Sequence, residues 1–220
     1  MDLNGTLVDT LDDLTDALND QLLAMARPTL TRAQVAEWPG ENLRSLLKAA
    51  LVATGPVPTD LEINDILHAF RERYEARLGA KAKLFPGIAE VLETLVRGGA
   101  KLAILTNKPQ EPSLRLVQKM GIDKWLLFLL AGDGEVPRKP DPAGAEELMQ
   151  RCGGTTQDTL LFGSSGIDRD TARYAGLRCA LIDHDNSRMA HGLGADYVLE
   201  DVARLPLLVL GPSSGGFGSG

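Results

Sequence analysis

Four short stretches of this chain carry side chains able to act together on an electrophile. Asp2-Leu3-Asn4-Gly5-Thr6-Leu7-Val8-Asp9 opens the chain with a carboxylate at Asp2. Thr106-Asn107-Lys108-Pro109 offers a hydroxyl and an amide. Arg138-Lys139-Pro140-Asp141-Pro142 offers an ammonium, and Gly163-Ser164-Ser165-Gly166-Ile167-Asp168 a second carboxylate. Brought together, Asp2 is suited to nucleophilic attack, while Thr106, Asn107 and Lys139 hold the anion that such an attack develops. Plainer roles exist for each. Thr106-Asn107 suits a turn or helix cap, Lys139 a surface lysine, and Asp168 the cap of the helix that follows it. The Gly-Thr-Leu-Val-Asp run after Asp2 and the Lys-Pro-Asp-Pro setting of Lys139 favour the site reading.

The elements that must position these residues follow from hydrophobic periodicity. From Leu11 to Leu78 the pattern is helical, with Leu11, Leu14, Leu18, Leu22 and Met25 on one face. Thr31 is the expected N-cap of a helix over Arg32 to Trp38, Asn42 to Ala53 forms another, and Thr59 caps a longer one through Ile63, Ile66, Phe70 and Tyr74. Gly55-Pro56-Val57-Pro58 separates the last two. Beyond Phe85-Pro86-Gly87, short apolar runs alternate with helical stretches. Ile88 to Val96 leads to the strand Leu102–Leu105, and Glu111 to Met120 to Leu126–Ala131. Ala143 to Arg151 leads to Thr159–Phe162, and Asp168 to Ala175 to Cys179–Ile182; Tyr197–Leu199 is the last strand expected. Continuous apolar strands alternating with helices predict an α/β fold: a Rossmann-like, doubly wound parallel sheet with an inserted helical cap. Ligands of such sheets bind beyond the carboxyl ends of the strands, where the four stretches are expected to fall. The expected division is a core of residues 1–10 and 84–210, a cap of residues 11–83, and a Gly/Ser tail over 211–220.

Composition narrows the function classes. With 23 Lys and Arg against 30 Asp and Glu among 220 residues, the net charge is −7, and no basic cluster is present. That argues against nucleic acid or an anionic membrane as the main partner. No run approaches the ~20 apolar residues of a membrane span. The opening Met-Asp-Leu-Asn has no signal-like pattern, and the isolated Cys152 and Cys179 suit a reducing compartment, so a cytoplasmic location is expected. His68, His184 and His191 lack ligand spacing, with Asp183-His184-Asp185 read as a loop after a strand. Arg71, Arg73 and Arg77 read as a solvated helix face.

In order and wording the four stretches resemble the motifs of the haloacid dehalogenase superfamily and, within it, of the phosphoglycolate phosphatases. Asp-Leu-Asn-Gly-Thr-Leu-Val-Asp is similar to the first motif, Asp-x-Asp-Gly-Thr-Leu-x-Asp, and Leu-Thr-Asn-Lys-Pro to the second. Gly132-Asp133 followed by Arg138 to Pro142 resembles the third, and Asp168-x-x-x-Ala172-Arg173-x-Ala175-Gly176 the end of the fourth. The resemblance spans about Asp2 to Leu208. It implies a magnesium-dependent phosphomonoesterase acting on a small phosphorylated metabolite. Asp2 would form an aspartyl-phosphate, and the residue two further on would serve as general acid and base. Thr106 and Lys139 would grip the phosphoryl oxygens. Mg²⁺ would be held at Asp2, at position 4 and by the fourth motif at Ser164 and Asp168, and the helical cap would exclude water and select substrate.

Three departures bear on that mechanism. Position 4 holds Asn4, whose amide has no titratable proton for either half-reaction, although its backbone carbonyl could still meet a metal. The fourth motif of the family, Gly-Asp-Ser-x-x-Asp, here reads Gly163-Ser164-Ser165-Gly166-Ile167-Asp168, so a metal-binding carboxylate is replaced by Ser164. Of the family's buried strand before the nucleophile only Met1 is present, so either the sequence is a fragment or mis-started, or the sheet lacks its middle strand; a strand at Leu207 to Leu210 filling that slot is the minor reading against the terminal helix that Pro206 and Asp201 to Leu205 indicate. The resulting expectation is a phosphoglycolate phosphatase-like hydrolase impaired at Asn4 and Ser164, with a weakened or lost Mg²⁺ site. A second reading is an inactive binding or scaffold protein with a protein partner. A third is metal-free hydrolysis in the manner of the dehalogenases, whose fourth motif resembles Ser-Ser-Asn-x-x-Asp; Ala145 stands where those enzymes carry Tyr.

Overall fold

The computed structural model describes residues 1–38, 43–184 and 190–211. Asn42, Asp185 and residues 212–220, on which parts of the sequence reading fall, lie outside them. The chain divides into two compact units, one of Met1–Leu7 with the chain from Leu84 onward, the other of Val8–Lys83.

Within the second unit, β1 (Val8–Asp9) precedes four helices: α1 (Leu11–Ala24), α2 (Arg32–Ala36), α3 (Leu43–Thr54) and α4 (Asp60–Arg77). The capping signals act as expected. Thr31 and Thr59 each accept a hydrogen bond from the backbone N–H three residues on, and Gln34 and Glu62 reciprocate, closing two capping boxes. Leu14, Leu18, Leu22, Leu46, Leu47, Leu51, Ile63 and Phe70 pack into one buried cluster. The basic stretch of α4 is only partly solvated. Arg71 is exposed, whereas Arg73 Nε donates to Gln21 Oε1 at 3.0 Å and Arg77 Nε to Asp20 Oδ2 at 2.7 Å, tying α4 to α1. Asp13, 1% exposed, accepts the backbone N–H groups of Gly79 and Lys81 at 2.7 Å each. Two-residue strands such as β1 and β2 (Lys83–Leu84), which pair with each other, are too short to leave a periodic signal.

The first unit continues with α5 (Ile88–Arg97), β3 (Leu102–Leu105), α6 (Gln110–Lys119), β4 (Leu126–Leu130), α7 (Ala143–Arg151), β5 (Leu160–Gly163), α8 (Gly166–Tyr174), β6 (Arg178–Ile182), β7 (Tyr197–Leu199) and α9 (Leu205–Leu210). All of its strand pairs are parallel. β3 runs beside β4, with Leu105 opposite Leu130, and β5, β6 and β7 lie side by side, with Leu161 opposite Cys179 and Leu181 opposite Val198. Strands of this kind, apolar throughout, are those that bury both faces.

The run Leu207 to Leu210 lies in helix α9, in keeping with the terminal-helix pattern and not with the strand weighed against it; Pro206 lies in its first turn, where a missing N–H leaves no intrahelical bond unmade. The slot between β3 and β5 is entered by the first residues of the chain. The Met1 amino group donates to Ala103 O (2.8 Å), Leu105 N to Met1 O (2.9 Å), and Asp2 N to Phe162 O (2.9 Å). These bonds satisfy backbone groups at the carboxyl ends of both strands, where burial would otherwise leave them unpaired at a cost. One expectation needs correction: α8 begins two residues before Asp168. Ser165 is its N-cap and Asp168 its third residue, the two forming a capping box. No helix among the described residues is long and apolar enough to cross a membrane.

Candidate active site

Each cluster read from the sequence follows a strand or strand-like segment of the parallel sheet, so their side chains converge at one edge. Asp2 leaves the slot between β3 and β5. Its Oδ1 accepts from Lys139 Nζ at 2.7 Å, and the same ammonium donates to Asp168 Oδ1 at 2.5 Å. All three side chains are shielded, at 12%, 4% and 1% exposure for Asp2, Lys139 and Asp168. Asp168 is held on its other oxygen by the N–H groups of Ser164 and Ser165, at 3.2 Å each, and by Ser165 Oγ at 2.6 Å. Gly163 is required for this approach: a Cβ there would lie 2.4 Å from Asp168 Cγ.

Electrostatics separates the two carboxylates. For Asp168, burial favours the neutral acid, but Lys139 and the surrounding donors outweigh it and hold the carboxyl below its usual range. For Asp2, burial prevails over the attraction of Lys139, and the nearby Asp168 charge adds to it, so its pKa is raised. Burial alone would lower the Lys139 pKa, yet the two carboxylates push it well above the ordinary lysine value. A proton entering the cluster therefore goes to Asp2 before Asp168.

Several neighbours were not singled out by sequence. Thr6, fully buried, hydrogen-bonds with Asp2 Oδ2 at 3.2 Å and with Ser164 Oγ at 3.0 Å, linking the first stretch to the fourth. Its place in the Gly-Thr-Leu run was the available signal. His184 stacks on Phe85, with centroids 3.5 Å apart and planes 8° from parallel, and its Nε2 donates to Thr6 O at 2.9 Å. A carbonyl only accepts, so Nε2 carries the proton; nothing in the local sequence pairs positions 178 residues apart. Thr106 ends β3 at 2% exposure, and its Oγ1 accepts from Lys108 N at 3.2 Å, which leaves its proton to be donated elsewhere. The Asn107 amide spans the backbone of Lys139. Asn4 is a bridge residue just before the turn over Gly5 to Leu7, with Gly5 at a φ of +81° that favours glycine.

The donor set does not fit Mg²⁺. Both oxygens of Asp168 are engaged, Asp2 Oδ1 faces an ammonium, and position 164 supplies a neutral hydroxyl already bonded to Thr6. Among the described residues no three Asp, Glu, His or Cys side chains are grouped to hold a metal. A small, strongly hydrated dication needs charged oxygens in near-octahedral array, and here the compensating cation is Lys139 itself.

The parallel α/β core, the carboxylates at its strand ends and the lysine between them define a class, and a sequence profile confirms it. The profile of haloacid dehalogenase-like hydrolases matches residues 1–182, and this chain belongs to that family. Phosphoglycolate phosphatase 1 of Pseudomonas aeruginosa is 34% identical over 187 residues, 83% of this chain and 68% of its own length. A Lactobacillus delbrueckii subsp. bulgaricus protein assigned as a phosphoglycolate phosphatase is 25% identical, with a TM-score of 0.85 over 96% of this chain and 97% of its own. CbbY of Rhodobacter sphaeroides, crystallised in complex with phosphate, is 25% identical, with a TM-score of 0.69 over 93% of both chains.

Proposed function

We propose that the pocket receives the phosphoryl end of a small phosphorylated metabolite and hydrolyses its monoester by way of Asp2, with turnover impaired at Asn4 and Ser164. The observation that carries this reading is the Lys139 ammonium held between Asp2 and Asp168 at the strand ends. Relatives named phosphoglycolate phosphatase, and a structural neighbour holding phosphate, support the substrate class. In this reading an Asp2 oxygen attacks phosphorus and the ester P–O bond breaks. Water then attacks the aspartyl-phosphate, regenerating the carboxylate and releasing phosphate. Lys139 and the Thr106 hydroxyl face the developing negative charge. The departing alkoxide takes its proton from water, because the Asn4 amide has none to give. General acid–base help is worth roughly 10²–10⁴-fold, and one residue would have served both half-reactions. In this reading the helical segment 11–83, between the first motif and α5, is the cap that selects substrate. We place the protein in the cytoplasm, where Cys152 and Cys179, both free, stay reduced.

The test is phosphate release from 2-phosphoglycolate and p-nitrophenyl phosphate. Slow hydrolysis by the parent, abolished in Asp2→Asn, is expected. In Asn4→Asp/Ser164→Asp with Mg²⁺ the rate should rise by about 10²–10⁴-fold. A parent indistinguishable from Asp2→Asn removes the hydrolase and leaves the second reading, binding without turnover, which the two neutral side chains at positions 4 and 164 favour. Chloride release from 2-chloropropionate would instead point to the dehalogenase-like chemistry.

A further inference from the structure

The loop after β3 grips the backbone of the residue that supplies the pocket's cation. Lys139 N donates to Asn107 Oδ1 at 2.8 Å, and Asn107 Nδ2 donates to Lys139 O at 2.9 Å. One amide side chain thus satisfies both polar backbone groups of one residue and fixes the direction in which its Cα–Cβ bond leaves the main chain. The loops behind it are laced as tightly. Gly132 N donates to Lys108 O at 2.9 Å, Gln110 N to Asp133 Oδ1 at 2.8 Å, and Arg138 Nε to Gly132 O at 2.5 Å. Gly132 comes so near that a Cβ on it would lie 2.4 Å from Asn107 O. Close packing of these loops leaves the Asn107 amide little room to turn towards any other partner.

We propose that Asn107 is the positioning residue of Lys139: its amide clamps the Lys139 backbone so that the ammonium stays between Asp2 and Asp168, and its side chain is not a ligand of the substrate anion. The proposal deepens the reading of the pocket as a phosphoryl site and rests on it for what Lys139 does in turnover; the clamp itself is independent of substrate. Loss of the clamp leaves a flexible four-carbon stem anchored only through its ammonium's bonds to Asp2 and Asp168. Lys139 then spends more time away from them, exposed to solvent.

Reductive methylation with isotopic formaldehyde, read lysine by lysine by mass spectrometry on the full chain without ligand, measures that exposure. In Asn107→Ala, Lys139 should be modified about tenfold faster than in the parent, the factor expected from losing two ordinary hydrogen bonds, while the exposed lysines keep their rates. Asn107→Asp keeps the Oδ1 acceptor but turns a second acceptor towards Lys139 O, and should give an increase of the same direction. Leu148→Ala, which loosens the core of the same unit without touching the clamp, should leave Lys139 protected. Unchanged protection in both Asn107 variants, or an equal rise in Leu148→Ala, overturns the proposal. Hydrolysis of 2-phosphoglycolate is measured beside it. Faster labelling in proteins that show no turnover upholds the clamp and sinks only the phosphatase reading.

Discussion

Between Asp2 and Asp168 the Lys139 ammonium offsets two negative charges that burial would otherwise make costly. Replacing it by Met should destabilise the protein by about 3–5 kcal/mol near neutral pH, measured by urea denaturation, because two uncompensated carboxylates are left facing each other. The penalty has a sign with pH. In the parent, the lowered pKa of Asp168 contributes stability that is full above the ordinary 3.8 and is lost as pH falls through its depressed folded value. In Lys139→Met the two facing buried carboxylates bind protons more readily folded than unfolded, so the penalty should shrink as pH falls. Asp2 yields a second prediction. It attacks only when ionised, and its pKa is raised, so kcat/KM should increase with pH through an acid limb lying above 3.8. A limb at or below that value would contradict the burial argument. That Asp2, Lys139 and Asp168 gather at one edge of the sheet was readable in sequence, because motif spacing sets which strand each one follows. Their direct contacts, with Lys139 shared between two acids, were not readable.

Helix starts carry much of the site's geometry. Ser165 caps α8 and also donates to the Asp168 carboxylate, so one hydroxyl both ends an orphan N–H row and steers a site residue. Ser165→Ala should cost about 1 kcal/mol in urea denaturation, the usual loss for an N-cap. Asp13→Ala, in the helical unit, should cost more, about 2–3 kcal/mol, because the buried Gly79 N–H and the partly buried Lys81 N–H lose their acceptor together. Capping boxes at Thr31 and Thr59 were legible from local pattern, being made by residues three apart. The cap of α8 was misplaced onto Asp168 because Ser165 and Asp168 both have capping side chains, and only the backbone conformation decides which one precedes the helix. The bonds from Asp13 to the loop after α4 span more than sixty positions and left no local trace.

At the scale of the molecule, each compact unit has a buried cluster of its own, one built on Leu14, Leu46 and Phe70, the other on Leu105, Leu161 and Leu181. Phe70→Ala should remove about 3–5 kcal/mol from the helical unit. Hydrogen exchange should then accelerate over residues 8–83 while the strands β3 and β5 keep their protection. Acceleration spread equally through the strands would show that the two clusters unfold as one. The order of helices and parallel strands was settled by the chain itself, since apolar periodicity and capping residues are local properties that survive without tertiary context. The carboxyl-end location of the motifs followed from that order. Only the folded molecule decided that Met1 and Asp2 enter the slot between β3 and β5. It likewise decided that His184 reaches the Thr6 carbonyl and that the Asn107 amide serves the backbone of Lys139. These outcomes rest on hydrogen bonds between distant residues, whose partners become neighbours only when backbone groups left without water must find each other in the packed interior.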